Sequence, residues 1–219
     1  MNRNASIVSL WAALVLASPA AAQDVTRLPD GAEQSVGLEL GLQSALVTRG
    51  SYSRSVGPGL LYGRFTLPSA NLDFGDFAVE AGGQISALES ESGSWKLQVS
   101  FAPVLRRTDN DLFSAHGLGF HAALMPGYHG RRWGLMAELG YEKMLATHVS
   151  HTSLYRSVAY SGAKDGWYSS TAGTLQAGLR AGYRLGRVEL SLAAGVLATE
   201  KLNAVVPPFY GTLGSSYAF

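Results

Sequence analysis

From Ser35 onward the apolar residues recur at every second position rather than every third or fourth. Val36, Leu38, Leu40 and Leu42 alternate with Gly37, Glu39, Gly41 and Gln43. Trp95, Leu97, Val99 and Phe101 alternate with Lys96, Gln98 and Ser100, and Trp133, Leu135, Ala137, Leu139 and Tyr141 with Gly134, Met136, Glu138 and Gly140. The same period governs 77–85, 175–185 and 188–196. Successive side chains of a strand point to opposite faces, so each run describes a strand with one apolar and one polar side. A helix built from these runs would scatter its leucines around the whole cylinder. The chain is therefore expected to be all-β.

Turn-forming stretches separate the runs: Ser55–Gly59, Pro68–Asp73, Glu89–Gly93, Thr108–Asp111 and Leu185–Arg187. Short connections between alternating runs make consecutive hairpins and an antiparallel meander. Strands are expected at 36–48, 59–67, 75–87, 95–105, 113–125, 133–146, 171–185, 187–199 and 209–219, with a weaker one at 153–161. Accepting the weak strand gives an up-and-down transmembrane β-barrel of about ten strands, with eight or twelve as alternatives, because bacterial single-chain barrels have even counts. An even count puts both termini on the periplasmic side. In that arrangement Trp95 and Trp133 open descending strands at the outer rim, while Tyr183 and Phe219 close strands at the inner rim.

Alternation alone does not say which face is outside, since soluble barrels alternate equally well. Composition decides it. Only 15% of residues are charged and 26 are Gly, against about 25% charged residues in ordinary soluble domains. The polar face is mostly Gly, Ala, Ser and Gln, far from the Lys- and Glu-rich exterior of a soluble protein. Lipid outside and small polar residues inside fit this pattern, and a sheet in hydrocarbon must close to satisfy its edge amides.

The start of the chain agrees. Residues 1–22 carry Arg3, an apolar run from Ala5 to Ala17 and Ala20-Ala21-Ala22, the layout of a cleaved secretory signal. Residues 23–34 read as a short irregular lead-in and 35–219 as the barrel. The expected location is the bacterial outer membrane, with outer-membrane lipid and the barrel-insertion machinery as partners. Lys+Arg 17 against Asp+Glu 16 leaves no basic excess for nucleic acid, and the lack of cysteine excludes disulfides, thiol catalysis and cysteine-based metal sites. Neither a cofactor nor a metal is expected.

The chain ends Leu213-Gly-Ser-Ser-Tyr217-Ala-Phe219. The terminal Phe219 with Tyr217 two places before it resembles the C-terminal signature of Gram-negative outer-membrane barrels, which implies that the insertion machinery reads this strand. Leu42-Gln-Ser-Ala-Leu-Val-Thr-Arg-Gly50, followed by Gly57-Pro-Gly-Leu60, resembles the first hairpin of TorF-type porins, in which a strand ending in Arg-Gly leads through a Pro-containing loop to a second strand. Thr48 stands where that family usually has an aromatic residue.

The face assigned to the lumen carries Glu39, Gln43, Arg64, Asp76, Glu80, Gln84, Lys96, Gln98, Glu138, Glu142, Gln176, Arg180, Arg184 and Glu189. In eight strands such a set would fill the interior with ion pairs; in ten or more it could line a narrow aqueous path that filters small solutes by charge. Glu138 and Glu142 opposite Arg180 and Arg184 could set a transverse field across a constriction. The leading expectation is a porin-like barrel allowing passive passage of small solutes. A closed structural or surface-interaction barrel presenting loops at 49–59 and 161–170 is the alternative, and a lipid-modifying enzyme the third. His148 and His151 form the only histidine cluster; three apart on a strand, they would face opposite sides and could share a ligand only in a loop. His121 falls on the lumen face.

Overall fold

The alternating runs pair into one sheet that closes on itself. The computed structural model describes residues 28–43, 45–68, 75–169, 173–201 and 204–219. The expected signal at 1–22, the first part of the lead-in and most of the 68–73 turn lie outside them. The strands are β1 (Gln34–Leu42), β2 (Leu46–Val56), β3 (Gly59–Pro68), β4 (Phe77–Glu89), β5 (Trp95–Asp109), β6 (Phe113–His129), β7 (Trp133–His151), β8 (Gly166–Ser169), β9 (Gly173–Leu185), β10 (Val188–Thr199) and β11 (Ala204–Ala218). A six-residue helix, α1 (Ser153–Val158), lies between β7 and β8.

Neighbours in the chain pair antiparallel from β1 to β8 and from β9 to β11, β7 also pairs with β9, and β1 pairs with β11. The ring therefore contains ten strands, and β8 is a flap that, among the described residues, pairs with β7 alone, over Ala146 to Val149. At the seam the Glu33 and Gln34 amides both donate to the Phe219 carbonyl, and the Phe219 amide donates to the Gln34 carbonyl. Tyr217 faces Val36 across the seam and stacks on Phe219, with ring centroids 6.3 Å apart.

The count of ten holds, but two of its members differ from expectation. The run 36–48 is not one strand: the chain reverses at 43–45, where the Gln43 amide donates to the Ala45 carbonyl at 2.9 Å. Leu42 and Leu46 face each other across that turn. Their even spacing preserves the period of two through the reversal, and no Gly or Pro marks it. Arg49-Gly50 consequently sits inside β2 instead of ending a strand, and 49–59 is strand plus turn, not an outer loop. Conversely, 153–161 is not a strand. Thr152 caps α1, its hydroxyl accepting from the Tyr155 amide, and the chain then passes into β8.

These two changes shift the direction of every strand between them. Gaining one strand at the front reverses β3 to β7 relative to the expected order, and losing one at α1 restores it. Trp95 and Trp133 thus lie at the rim that carries both termini, together with Tyr183, and not at the opposite one. Trp95 packs edge-on to Tyr128 at 5.7 Å, Tyr128 stacks on Trp133 at 4.5 Å, and Trp133 faces Tyr183 across the β7–β9 pair. The result is one aromatic belt at the terminal rim, the arrangement expected where a barrel crosses a membrane interface.

The outer surface is apolar. Leu38, Leu61, Ile85, Phe101, Leu124, Leu139, Leu179, Leu192 and Leu213 are all exposed. On β6 the outward residues run Tyr128, Pro126, Leu124, Ala122, Phe120 and Leu118, and on β5 Trp95, Leu97, Val99, Phe101, Pro103 and Leu105. Each set covers ten residues of rise. At about 3.4 Å per residue and a tilt of about 40°, that is roughly 26 Å along the barrel axis, close to the ~25 Å apolar band of a membrane barrel. Burying such a surface in lipid removes the cost of leaving it in water. Among the described residues no helix is long and apolar enough to cross a membrane.

Candidate functional site

The inward residues of the ten strands converge on a polar core. Arg49 on β2 reaches Glu39 on β1 at 2.9 Å and hydrogen-bonds Thr66 on β3 at 3.3 Å. The second oxygen of Glu39 lies 3.6 Å from Arg180 on β9, which also faces Glu138 on β7 at 3.7 Å. Gln176 donates to the other Glu138 oxygen at 2.8 Å. The chain Thr66–Arg49–Glu39–Arg180–Glu138–Gln176 thus runs across the barrel and ties β1, β2, β3, β7 and β9 together.

Further pairs lie beside it. Arg64 meets Glu80 at 3.1 Å, and His121 lies 3.9 Å from the same Glu80 oxygen. The Arg64 guanidinium sits 5.2 Å from the centre of the Tyr62 ring. Arg106 pairs with Glu142 at 2.8 Å toward the loop rim, and Arg184 with Glu189 at 2.8 Å toward the terminal rim. Five guanidinium groups (49, 64, 106, 180, 184) face five carboxylates (39, 80, 138, 142, 189) within the wall. A charge taken out of water needs a partner of opposite sign, and each of these groups has one within 3.7 Å.

The lattice also fills the interior. Glu39, Arg49, Glu138 and Arg180 are each no more than 2% exposed. Tyr210 packs with Ala193 and Leu197 on one side, and Met125 and Met136 with Ala123 on another. The small residues between them are required by this packing. A Cβ on Gly195 would collide with the Ala177 carbonyl and the Tyr210 ring, and one on Gly178 with the Tyr210 hydroxyl. Open space lies at the terminal rim, in a cavity of about 280 Å³ whose lining includes Leu28, Gln84, Lys96, Gln98 and His129.

Of the residues expected on the lumen face, Glu39, Gln43, Arg64, Glu80, Gln84, Glu138, Glu142, Gln176, Arg180, Arg184 and Glu189 are buried. Lys96 and Gln98 are only half-buried; they sit at the cavity mouth, where Lys96 bridges to Glu89 at 3.2 Å. Asp76 lies at the loop rim, its carboxylate accepting from the Asp109 amide. The expected opposition of Glu138 and Glu142 to Arg180 and Arg184 is realised in one pair only. Arg180 faces Glu138, whereas Glu142 takes Arg106 and Arg184 takes Glu189.

Sequence reasoning missed Arg49 and Arg106. Arg49 is hidden by the expected strand end at 48 and outer loop at 49–59, although its two-residue spacing from Val47 and Ser51 is the inward spacing of β2. Arg106 follows Val104 at inward spacing on β5, just beyond the expected end of that strand at 105.

The histidines of the 148–151 segment go to different partners. His148 packs edge-on against Trp167 at 5.3 Å. His151 binds Asp165 at 3.1 Å and stacks obliquely on Tyr155 at 4.7 Å. Arg156 on α1 completes a latch, reaching Asp165 at 2.7 Å and the His151 carbonyl at 2.8 Å. The His151 amide and the Arg156 guanidinium draw the Asp165 carboxyl down to about 2.

No family model and no curated protein matches the chain. Among solved structures it is similar to a KdgM porin, alone and in complex with disordered oligogalacturonate, at 11% identity in both cases, with 84% of this chain and 99% of that chain covered and a TM-score of 0.41. It is also similar to Ail, the attachment invasion locus protein of Yersinia pestis, at 14% identity over 86% of this chain and 99% of that chain, with a TM-score of 0.37.

Proposed function

We propose that this chain is an outer-membrane β-barrel whose interior is sealed at mid-height by its own ion-pair lattice, and that it acts through the surface it raises above the membrane. The observation that carries this reading is the burial of Arg49, Glu39, Arg180 and Glu138 in one connected chain across the lumen. Ten strands make a barrel only slightly wider than the eight whose diameter side chains just fill, and five arginines with their carboxylates occupy the difference. The outward apolar band of roughly 26 Å and the aromatic belt support the membrane location. The signal-like start and the Tyr217–Phe219 end support export and insertion into the outer membrane.

Passage of small solutes is the second reading, favoured by the polar cavity at the terminal rim with Lys96, Gln84 and Gln98 in its lining. Planar-bilayer recording of the folded barrel separates the two. The sealed reading expects a quiet bilayer with wild type. Sustained stepwise currents whose ion selectivity changes in Glu138→Gln or Arg180→Gln would overturn it and establish the pore.

A further inference from the structure

The bulge on β7 changes which face its upper residues present. Gly119 pairs with Met144 but Leu118 pairs with Ala146, so Leu145 is an extra residue and the alternation inverts beyond it. His148, which would otherwise point over the lumen, is turned outward. The registers then align Phe77, Arg107, His116, His148 and Trp167 in one row across β4 to β8. Directly opposed residues share a face, and the ring contact of His148 with Trp167 agrees. At about 4.8 Å per strand the row is roughly 19 Å long.

Its position along the strands is equally specific. The row one outward step toward the terminal rim is Val79, Leu105, Leu118 and Ala146, the last of the apolar band on these strands. Two residues of rise separate the rows, roughly 5 Å along the barrel axis. Hydrocarbon contact thus ends at Leu105 and Leu118, and the next outward groups are a guanidinium, two imidazoles and an indole, with Phe77 at the far end. Arg107 is paired with Asp109 at 2.9 Å, and Trp167 is 70% exposed.

We infer that this row, set by the Leu145 bulge, is a docking face for the phosphorylated sugar headgroup of the outer-leaflet glycolipid. The inference rests on the outer-membrane reading. The face continues the lipid-facing surface without a break, which selects a membrane lipid over a soluble partner. Its chemistry fits that headgroup: a flat indole for a sugar ring to stack on, and guanidinium and imidazole N–H groups for phosphate and hydroxyl oxygens. Apolar acyl chains would lie against Leu105 and Leu118 below.

The test compares the refolded full-length barrel in neutral detergent micelles doped with either a short-chain, phosphorylated outer-membrane glycolipid or phosphatidylglycerol. Native mass spectrometry counts the bound lipids. Wild type is expected to retain the glycolipid over phosphatidylglycerol, and His116→Ala/His148→Ala/Trp167→Ala to lose about tenfold or more in glycolipid affinity. A second variant, Arg107→Gln, removes the guanidinium from the row and should lose preference likewise. All variants are first checked for the heat-resistant, compact gel mobility of a folded barrel; the triple variant alters only exposed or half-exposed side chains. Equal retention of the two lipids by wild type, or an unchanged preference in the triple variant, overturns the inference while leaving the membrane barrel intact. A wild-type chain that stays monomeric and soluble without detergent overturns both.

Discussion

Replacing Glu39 by Gln is the most direct probe of the sealed interior. The substitution keeps the size of the side chain and one acceptor oxygen but removes the carboxylate charge shared by Arg49 at 2.9 Å and Arg180 at 3.6 Å. Arg180 keeps Glu138 at 3.7 Å, so the loss falls mainly on Arg49, which is 1% exposed. Breaking a buried pair by removing one partner costs about 3–5 kcal/mol. The retained amide oxygen places Glu39→Gln at the lower end, about 3 kcal/mol. With a urea slope of about 2–3 kcal/mol per molar, the unfolding midpoint should fall by roughly 1–1.5 M. The assay is urea unfolding of the refolded barrel in detergent, followed by tryptophan emission and gel mobility. The control is Glu89→Gln. Its bridge to Lys96 is partly exposed, with side chains 44% and 21% accessible, and such pairs contribute about 0–1 kcal/mol. If Glu39→Gln shifts the midpoint no more than Glu89→Gln does, the interior is wet enough to screen Arg49, and the lumen is not sealed.

Leu124→Arg places a charge near the middle of the outward band on β6 and should cost about 2–4 kcal/mol in lipid, whereas Leu124→Ala should cost far less; equal effects in bilayer-refolding titrations would mean that this face does not meet hydrocarbon. Gly82→Ala drives a methyl against the Phe101 carbonyl and to 2.5 Å from the Ala102 Cβ, so a loss of about 1–3 kcal/mol is expected in the same urea assay. Asp165→Asn removes the charge that ties α1 to the end of β7, and trypsin should cut at Arg156 and Lys164 faster than in wild type. Because the Asp165 carboxyl is depressed to about 2, the latch is at full strength above its ordinary value near 4 and weakens as pH falls through about 2. Limited acid proteolysis of wild type across that range should show the loop opening, and Asp165→Asn should show no such dependence.

The period of two was enough to read the fold class, the face directions and most of the interior charges, because inward and outward environments differ sharply on every strand. What it does not encode is where a strand reverses. Leu42 and Leu46 keep the parity through the turn at 43–45, so hydrophobic pattern alone sees one strand where there are two. The reversal between Gln43 and Ala45 has no Gly or Pro in its sequence to announce it. The segment 153–158 fails the other way. Leu154 and Val158, four apart behind the Thr152 cap, are a helical spacing that a short alternating reading overrides. Pairing partners in the core were less legible than core membership. That Arg180 would choose Glu138 and Glu39, and leave Glu142 to Arg106, depends on register between strands far apart in the chain.

At the seam, the backbone of residue 33 and that of residue 219 touch. A ring whose head and tail meet has no obligatory beginning. A gene opened at the 130–132 turn, with a few linker residues joining 219 to 33, would encode the same cylinder in a different order of synthesis. Refolded from urea, such a permutant should reach the same state; delivered by a living cell, it would no longer finish on Phe219. Comparing the two routes would separate what the closed cylinder needs for its own stability from any part a terminal Phe219 plays in delivery.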